Sequence, residues 1–285
     1  MTTMNITLQG LHPITSEMAL VQRIASLTRA ENIIPVGPHA MRLERISCDK
    51  ALQQQVEAEC YVAQLDITIT PANRKLNEFK LVAMDMDSTL ITIECIDEIA
   101  DMQGLKPQVS EITEAAMRGE LEFAESLTRR VALLKGLDAS ALQKVYDERL
   151  QLSPGAEQML ATIQHAGMKT LLVSGGFTFF TDRMKTRLGL DYSHANVLEI
   201  ANGKLTGKVV GGIVDATEKQ RTVERVCSEM GISPGQAIVM GDGANDLKMM
   251  GIAGLSVAFR AKPVVRAQAN VALNFVGLDG VLNLF

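Results

Sequence analysis

The stretch Leu81-Val82-Ala83-Met84-Asp85-Met86-Asp87-Ser88-Thr89-Leu90 constrains this chain more than any other. Four apolar residues without alternation read as a strand buried on both faces, and they end abruptly in two acids and two hydroxyls. Residues two apart in an extended backbone point the same way, so Asp85 and Asp87 can both project from the carboxyl end of the strand. Open parallel sheets bind ligands at that edge. Two carboxylates so close repel unless a cation lies between them or one keeps its proton, and both arrangements serve phosphoryl transfer. One carboxylate can attack phosphorus. The other can protonate the departing alkoxide and then deprotonate the water that releases an aspartyl phosphate. The plain alternative is that acids merely end a strand, which for a lone Asp-x-Asp is the commoner case. An EF-hand calcium loop is excluded, because Leu90 and Ile96 stand where such a loop has Gly and Glu.

With 285 residues the chain is long for one compact domain and comfortable for two or three. A net charge of −5 argues against a general binder of nucleic acid or membrane surfaces and leaves a small-molecule substrate. Cys48, Cys60, Cys95 and Cys227 form no Cys-x-x-Cys pair, so neither a zinc site nor a disulfide framework is expected; they read as buried thiols of a reducing cytosol. No basic and apolar leader opens the chain, and no run approaches the roughly 18 apolar residues of a membrane span. A soluble cytoplasmic protein is expected.

Residues 4–8 read as a strand, 16–31 as a helix, 33–36 and 40–46 as strands, 50–59 as a helix and 61–69 as a strand. That βαββαβ order predicts a ferredoxin-like α+β sandwich of about 70 residues, a layout that also serves amino-acid-sensing modules of the ACT type. Residues 71–78 are polar, carry a proline and lack strand character, so they read as the passage from a first, ACT-like domain of residues 1–72 to a second of residues 73–285.

The next plainly buried strand, Thr170-Leu171-Leu172-Val173, comes roughly eighty residues after the first, whereas a single crossover needs only a few dozen. The excess predicts an inserted helical cap over about residues 94–150, with helices at 96–102, 109–117 and 120–135, the last two separated near Gly119. In the third, Phe123, Ala124, Leu127, Val131 and Leu134 fall on one face. Arg129 lies opposite with Glu122 and Glu125, where a Glu125–Arg129 pair is an ordinary solvated contact. Arg130 stands at the edge of the apolar face, and either snorkels at the core margin or reaches into a cleft.

The second buried strand is expected to stop at Ser174-Gly175-Gly176, before a helix over 177–188. Small residues there let backbone amides and a hydroxyl approach an anion, although glycine pairs also mark plain turns. Residues 197–200 and 205–210 flank Asn202-Gly203, a hairpin signal that predicts a small β flap. A helix over 218–230 carries Lys219 in its first turn, where the helix dipole disfavours a cation. That lysine is either a solvated surface side chain or one placed for phosphate. Residues 237–240 form a third buried strand, which runs into Gly241-Asp242-Gly243-Ala244-Asn245-Asp246 before a helix near Leu247. Two acids and an amide among glycines suit a hard divalent cation; helix capping by Asn245 or Asp246 is the structural alternative. Residues 255–259 and 271–274 add short strands. Strands that end in polar chemistry at one edge and are joined by helices make a doubly wound, Rossmann-like parallel sheet.

Taken together, Asp85-Met86-Asp87-Ser88-Thr89, Ser174-Gly175-Gly176, Lys219 and Gly241-Asp242-Gly243-Ala244-Asn245-Asp246 resemble the four motifs of the haloacid dehalogenase (HAD) superfamily. Glu94-Cys95-Ile96-Asp97-Glu98-Ile99-Ala100, Arg130-Val131 and Ser174-Gly175-Gly176-Phe177 narrow the resemblance to members that hydrolyse O-phospho-L-serine in the last step of serine synthesis. It covers about residue 80 to the end. The resemblance implies Asp85 as the phosphorylated nucleophile and Asp87 as general acid and then base. It implies Mg2+ held by the Asp85 carboxylate, the Asp87 main-chain carbonyl and Asp242, and phosphate held by Ser174, Gly175 and Lys219. Asn245 and Asp246 would support the metal site and Lys219, while Glu94, Phe123 and Arg130 of the cap would recognise the amino-acid part. Met86 departs from the Phe of many members, with its side chain away from the acids. Another small phosphomonoester, such as phosphothreonine or phosphohomoserine, is the rival substrate. A non-catalytic amino-acid sensor would need losses among these positions, and there are none. A homodimer is left open, and neither nucleic acid nor membrane is expected as a partner. Every motif lies beyond Lys75, so a chain beginning there is expected to stay folded and keep its chemistry.

Overall fold

In the computed structural model, which describes residues 3–117 and 120–285, the chain builds two β-sheets. Apolar–polar alternation makes the first. Strands β1 (Met4–Gly10), β2 (Asn32–Gly37), β3 (Ala40–Ile46) and β4 (Leu65–Pro71) pair antiparallel in the order β2-β3-β1-β4, with α1 (Met18–Leu27) and α2 (Lys50–Val62) between them in sequence. Ile6, Leu8 and Leu43 pack with Val21, Ile24, Val56 and Cys60 in one small core. This is the ferredoxin-like arrangement expected, and it is consistent with an ACT-like domain. Asp49 starts α2 by accepting from Leu52 N–H at 2.8 Å. Three boundaries differ from expectation. A 3-10 turn at Ile14–Glu17 precedes α1, α1 ends at Leu27, and α2 runs on to Val62, so β4 starts only at Leu65.

The second sheet has seven strands in the order β11-β10-β9-β5-β6-β7-β8. Its centre is β5 (Leu81–Met84), paired parallel with β6 (Lys169–Phe177) and β9 (Ala237–Gly241). Val82 and Met84 enter the core on one face, Leu81 and Ala83 the core on the other, which is why this strand shows no polar alternation. Leu81, Val82 and Met84 each contribute roughly 1.5–3 kcal/mol by burial, and the single methyl of Ala83 less. Beyond β9 lie β10 (Leu255–Phe259) and β11 (Val271–Leu273), both parallel. Beyond β6 lies β7 (Tyr192–Ala201), which pairs parallel with β6 and then turns back as a hairpin with β8 (Lys204–Val210). Asn202 and Gly203 both take positive φ, 50° and 76°, as this tight turn requires. The flap is thus the continuation of a sheet strand.

Helices α3 (Cys95–Asp101), α4 (Lys106–Met117), α5 (Phe123–Leu133) and α6 (Ser140–Glu148) form the cap between β5 and α7 (Ala156–His165). The expected break near Gly119 lies outside the described residues. Helix α5 starts at Phe123 rather than at 120, Ala124 is exposed rather than part of the apolar face, and α6 and α7 were not anticipated. After β6 come α8 (Thr178–Leu188) and, beyond the flap, α9 (Ala216–Glu229); α10 (Leu247–Gly251) and α11 (Pro263–Arg266) complete the chain's helices. No helix among the described residues is long and apolar enough to cross a membrane.

The two sheets meet through polar groups. Asn5, Thr7 and Gln9 on β1 and Asp66, Thr68 and Thr70 on β4, which face away from the small core, are buried all the same. Asp66 accepts from the backbone N–H of Asn274 (2.7 Å), Phe275 (3.0 Å) and Val276 (3.0 Å), just past β11. Gln9 accepts from Asn283 Nδ2, and Arg42 donates to the carbonyls of Asn283 and Phe285. All four cysteines are free thiols, three of them buried.

Candidate active site

Asp85 follows β5 in extended conformation, and its Oδ1 accepts from Met86 N–H at 2.7 Å. The chain then turns sharply, because Ser88 adopts a left-handed φ of 56° and the N–H groups of Leu90 and Ile91 donate back to Asp85 and Met86 carbonyls. A non-glycine residue there costs about 1–2 kcal/mol. Ser88 Oγ donates to Glu94 Oε1 at 2.7 Å, which ties this turn to the start of the cap. Asp87 is thereby held at the same sheet edge as Asp85, its Oδ1 accepting from Cys95 N–H at 3.4 Å.

Strand β6 does not stop at Ser174. It continues through Gly175 and Gly176 to Phe177, with an irregularity in its pairing with β7 between Val173 and Phe177. Ser174 Oγ accepts from Gly176 N–H at 2.8 Å. A Cβ on Gly176 would lie 2.8 Å from Asp87 Oδ2 and 3.0 Å from Ser174 Oγ, so only glycine lets these two groups approach. Buried Asn196 donates to Gly175 O at 2.7 Å and accepts from Val214 N–H at 2.8 Å, fixing the loop from the flap side.

Lys219 is 0% exposed. Asp215 caps α9, accepting from Glu218 N–H at 2.8 Å, and the lysine one turn in points to Asp85 Oδ2 at 2.7 Å and Asp246 Oδ1 at 2.8 Å. The solvated reading of Lys219 is therefore overturned. Asp246 uses its other oxygen to accept from the N–H groups of Asp242 (3.2 Å) and Gly243 (3.0 Å). Carboxylate oxygens of Asp85, Asp242 and Asp246 lie within 4.8 Å of one another, a spacing that could hold a metal ion. Asp246 is 0% exposed and away from the cleft, with both oxygens engaged by donors, which makes it the support; Asp85, held by Met86 N–H and Lys219, and Asp242, which accepts from the Thr89 hydroxyl at 3.4 Å, are the acids that face the cleft.

Burial raises the Asp85 carboxyl, the charge on Asp246 raises it further, and Lys219 opposes both. Burial also works against charge on Lys219, but Asp246 and Asp85 outweigh it and hold the ammonium well above its ordinary range. Asp87 is pushed up to about 7 by burial and then by Glu94. Asp242 is pushed up to about 7 by burial and then by Asp246. The two acids of the opening motif thus differ in kind. Burial raises both above the ordinary carboxylate range, but Asp85 has a fixed cation 2.7 Å away that favours its anion, while Asp87 has none in contact.

These residues floor a cleft of about 790 Å³ whose opposite wall is the cap. Asp85, Asp87, Ser174, Gly175, Asp242 and Asn245 line the sheet side, and Glu94, Phe123 and Arg130 the cap side. Phe123 reaches across, since a Cβ on Gly175 would stand 2.9 Å from its Cζ. Lys219 and Asp246 lie beneath the floor rather than on it.

The profile of haloacid dehalogenase-like hydrolases matches residues 79–254. A phosphoserine phosphatase of Polaromonas sp. is 56% identical over 225 residues, 77% of this chain and 95% of that protein. The chain belongs to the phosphoserine phosphatase family. The unliganded crystal structure of a probable phosphoserine phosphatase from Vibrio cholerae superposes with a TM-score of 0.81 at 35% identity, over 99% of this chain and 86% of that one. A substrate-bound phosphoserine phosphatase complex matches with a TM-score of 0.68 at 38% identity, covering 74% of this chain and 98% of that one.

Within this phosphoserine phosphatase fold, the residues that the motifs single out lie on or directly under one cleft. Asp97, Thr113, Leu121, Ser126 and Lys262, to which the motifs give no role, share the lining. Helical spacing held the signal for two of them. Asp97 stands three residues after Glu94, and Ser126 lies three after Phe123 and four before Arg130, which aligns each with a residue already chosen. Lys262 had no such signal, because only the pairing of β10 with β9 brings its loop to the cleft.

Proposed function

We propose that the chain hydrolyses O-phospho-L-serine to L-serine and phosphate through an aspartyl phosphate on Asp85, the last step of L-serine biosynthesis. One observation carries the reading: an acid pair beside a buried lysine faces, across one cleft, a cap wall that offers both acids and an arginine. A phosphate ester bound at the sheet edge presents its ammonium and carboxylate to that wall.

Asp85 supplies the attacking oxygen. Met86 N–H and Lys219 orient its carboxylate, and Lys219 favours the ionised form against burial. Asp87, with its carboxyl near 7, gives its proton to the serine oxygen as the ester bond breaks, then takes one from the water that attacks the aspartyl phosphate. Ser174 and the Gly175 backbone line the cleft to hold the phosphoryl oxygens, and Lys219, beneath them against Asp85, lends its positive charge to the same corner. The donor set of Asp85 and Asp242 with the Asp87 carbonyl is all oxygen, which fits Mg2+. When bound, that ion offsets the negative charge of the phosphate facing two carboxylates. Asn245 and Asp246 support this corner. Residues 1–72 are taken as an ACT-like module and 73–285 as the phosphatase unit, working in a reducing cytoplasm that suits four free thiols.

The test is magnesium-dependent phosphate release from phosphoserine, phosphothreonine, phosphohomoserine and sugar phosphates, with Asp85→Asn as the control. Phosphoserine should have the highest kcat/KM, and the Asn variant, folded by circular dichroism, should show no turnover, since the amide lacks the charge to attack phosphorus. Substantial steady-state activity of that variant would sink the covalent route.

A further inference from the structure

A half-buried acid and a half-buried arginine share the cap wall without pairing. Arg130 Nε donates to the Ser126 carbonyl of its own helix at 3.4 Å, and its guanidinium forms no ion pair among the described residues; the adjacent Arg129 does, with Glu125. Asp97, in the first turn of α3, lines the same cleft, and its carboxylate accepts no hydrogen bond among the described residues. Burial pushes the Asp97 carboxyl up and the Arg130 guanidinium down, and for each the chief opposing charge is the other. Two partly desolvated opposite charges that stop short of contact are costly unless something completes them. Glu94 differs, being exposed, with one oxygen engaged by Ser88 Oγ, and its charge acts on Asp87 and Asp242 as well as, after Asp97, on Arg130.

A third group points the same way. Ser126 Oγ is buried at 1% exposure, lines the cleft one turn ahead of Arg130, and has no hydrogen-bond partner among the described residues. A buried hydroxyl left bare at such a place is costly, so it too awaits a partner. An α-amino-acid head fits all three, because it carries an ammonium and a carboxylate on one carbon and can bridge an open acid–arginine gap.

Resting on the phosphoserine reading above, we propose that Asp97 is a specificity-determining residue. Its carboxylate takes the ammonium of a phosphorylated α-amino acid whose carboxylate lies on Arg130, and the Ser126 hydroxyl is a further partner of that head group. Glu94 then shares the ammonium instead of holding it alone.

The test uses the full chain and four ligands: phosphoserine, phosphoethanolamine (no carboxylate), 3-phosphoglycerate (hydroxyl for ammonium) and an aryl phosphate (neither). Turnover is followed for phosphoserine and the aryl phosphate, and competitive inhibition of aryl phosphate hydrolysis for the other two. Asp97→Asn should lower the phosphoserine to aryl phosphate ratio of kcat/KM by about ten- to a hundredfold, the range for a hydrogen bond to a charged group. It should weaken phosphoethanolamine but not 3-phosphoglycerate, and Asp97→Glu should restore part of the loss. Ser126→Ala should lower the same ratio by a smaller factor. Weakening of 3-phosphoglycerate with phosphoethanolamine spared would overturn the proposal, because Asp97 would then act by placing Arg130. Equal losses on all four ligands would also overturn it, as a structural effect. If the unmodified chain showed no preference for phosphoserine over the aryl phosphate, the phosphoserine reading itself would fall.

Discussion

Asp85 and Asp87 are two residues apart, yet what touches them assigns opposite tasks. Lys219, 2.7 Å from Asp85, favours the anion, whereas Asp87 meets burial and Glu94 and keeps a proton to near pH 7. Asp87→Asn should therefore slow hydrolysis of phosphoserine, whose alkoxide needs a proton, by about 10²–10⁴-fold. The first step with an activated aryl phosphate should suffer much less, as a single-turnover burst would reveal; equal losses on both would remove the acid role. The metal corner has its own pH signature. Asp242 and Asp87 have folded values of about 7 against an ordinary value of about 4, so in the metal-free protein each contributes stability at low pH that is lost as pH rises from about 4 through 7. A cation needs the Asp242 carboxylate ionised, whereas Asp87 would offer it only the main-chain carbonyl. Magnesium should bind more tightly as pH rises from 6 to 8, expel protons near pH 6.5, and raise the melting temperature most above pH 7. Calorimetry in buffers of different ionisation enthalpy reads the proton release directly. A pH-independent affinity with none released would count against this site.

Helix α5 shows how one element separates two neighbouring arginines. Arg129 turns outward to pair with Glu125 in solvent, an interaction worth a few tenths of a kcal/mol, while Arg130 turns to the cleft. Arg130→Ala should cost about 2–5 kcal/mol in kcat/KM with phosphoserine and far less with an aryl phosphate, since an unmet carboxylate is left partly desolvated. Glu94→Gln, at a more exposed position, should cost about 1–3 kcal/mol with the same selectivity. Arg129→Ala should do neither. An Arg129 effect as large as that of Arg130 would mean the helix is rotated from its position here.

Across the whole molecule, the two sheets are less separable than the linker composition implies. Asp66 satisfies three backbone N–H groups beyond β11, and Arg42 binds carbonyls at the chain's end. A chain beginning at Lys75 keeps every motif but strips these partners. It should retain turnover per folded molecule while melting several degrees lower. In the intact chain, Asp66→Ala should cost about 2–4 kcal/mol, because one buried and two half-buried donors lose their acceptor together. Thermal melts of both variants test this, and a Lys75 chain as stable as the whole would show that the contact between sheets contributes nothing.

The sequence alone determined whatever local chemistry could carry. The βαββαβ order, the double burial of β5, the Asn202-Gly203 turn and the outward Arg129 all follow from spacing of one or two turns or strands. The acid pair and the strand-end motifs were legible for the same reason: each is continuous in the chain, and a parallel sheet brings all its carboxyl ends to one edge. Lys219 was ambiguous, because its meaning depends on two acids far away in sequence that only the packing of α9 under β5 and β9 supplies. Asp66 read as an ordinary polar residue of an alternating strand; the donors that make it structural belong to residues 274–276. Asp97 and Ser126 were hidden among helix-face residues until the cap closed over the sheet and placed them on a cleft wall with Arg130. What the tertiary structure decided was in each case which distant group faces a side chain, and so whether a charge is solvated, paired or left open for a ligand.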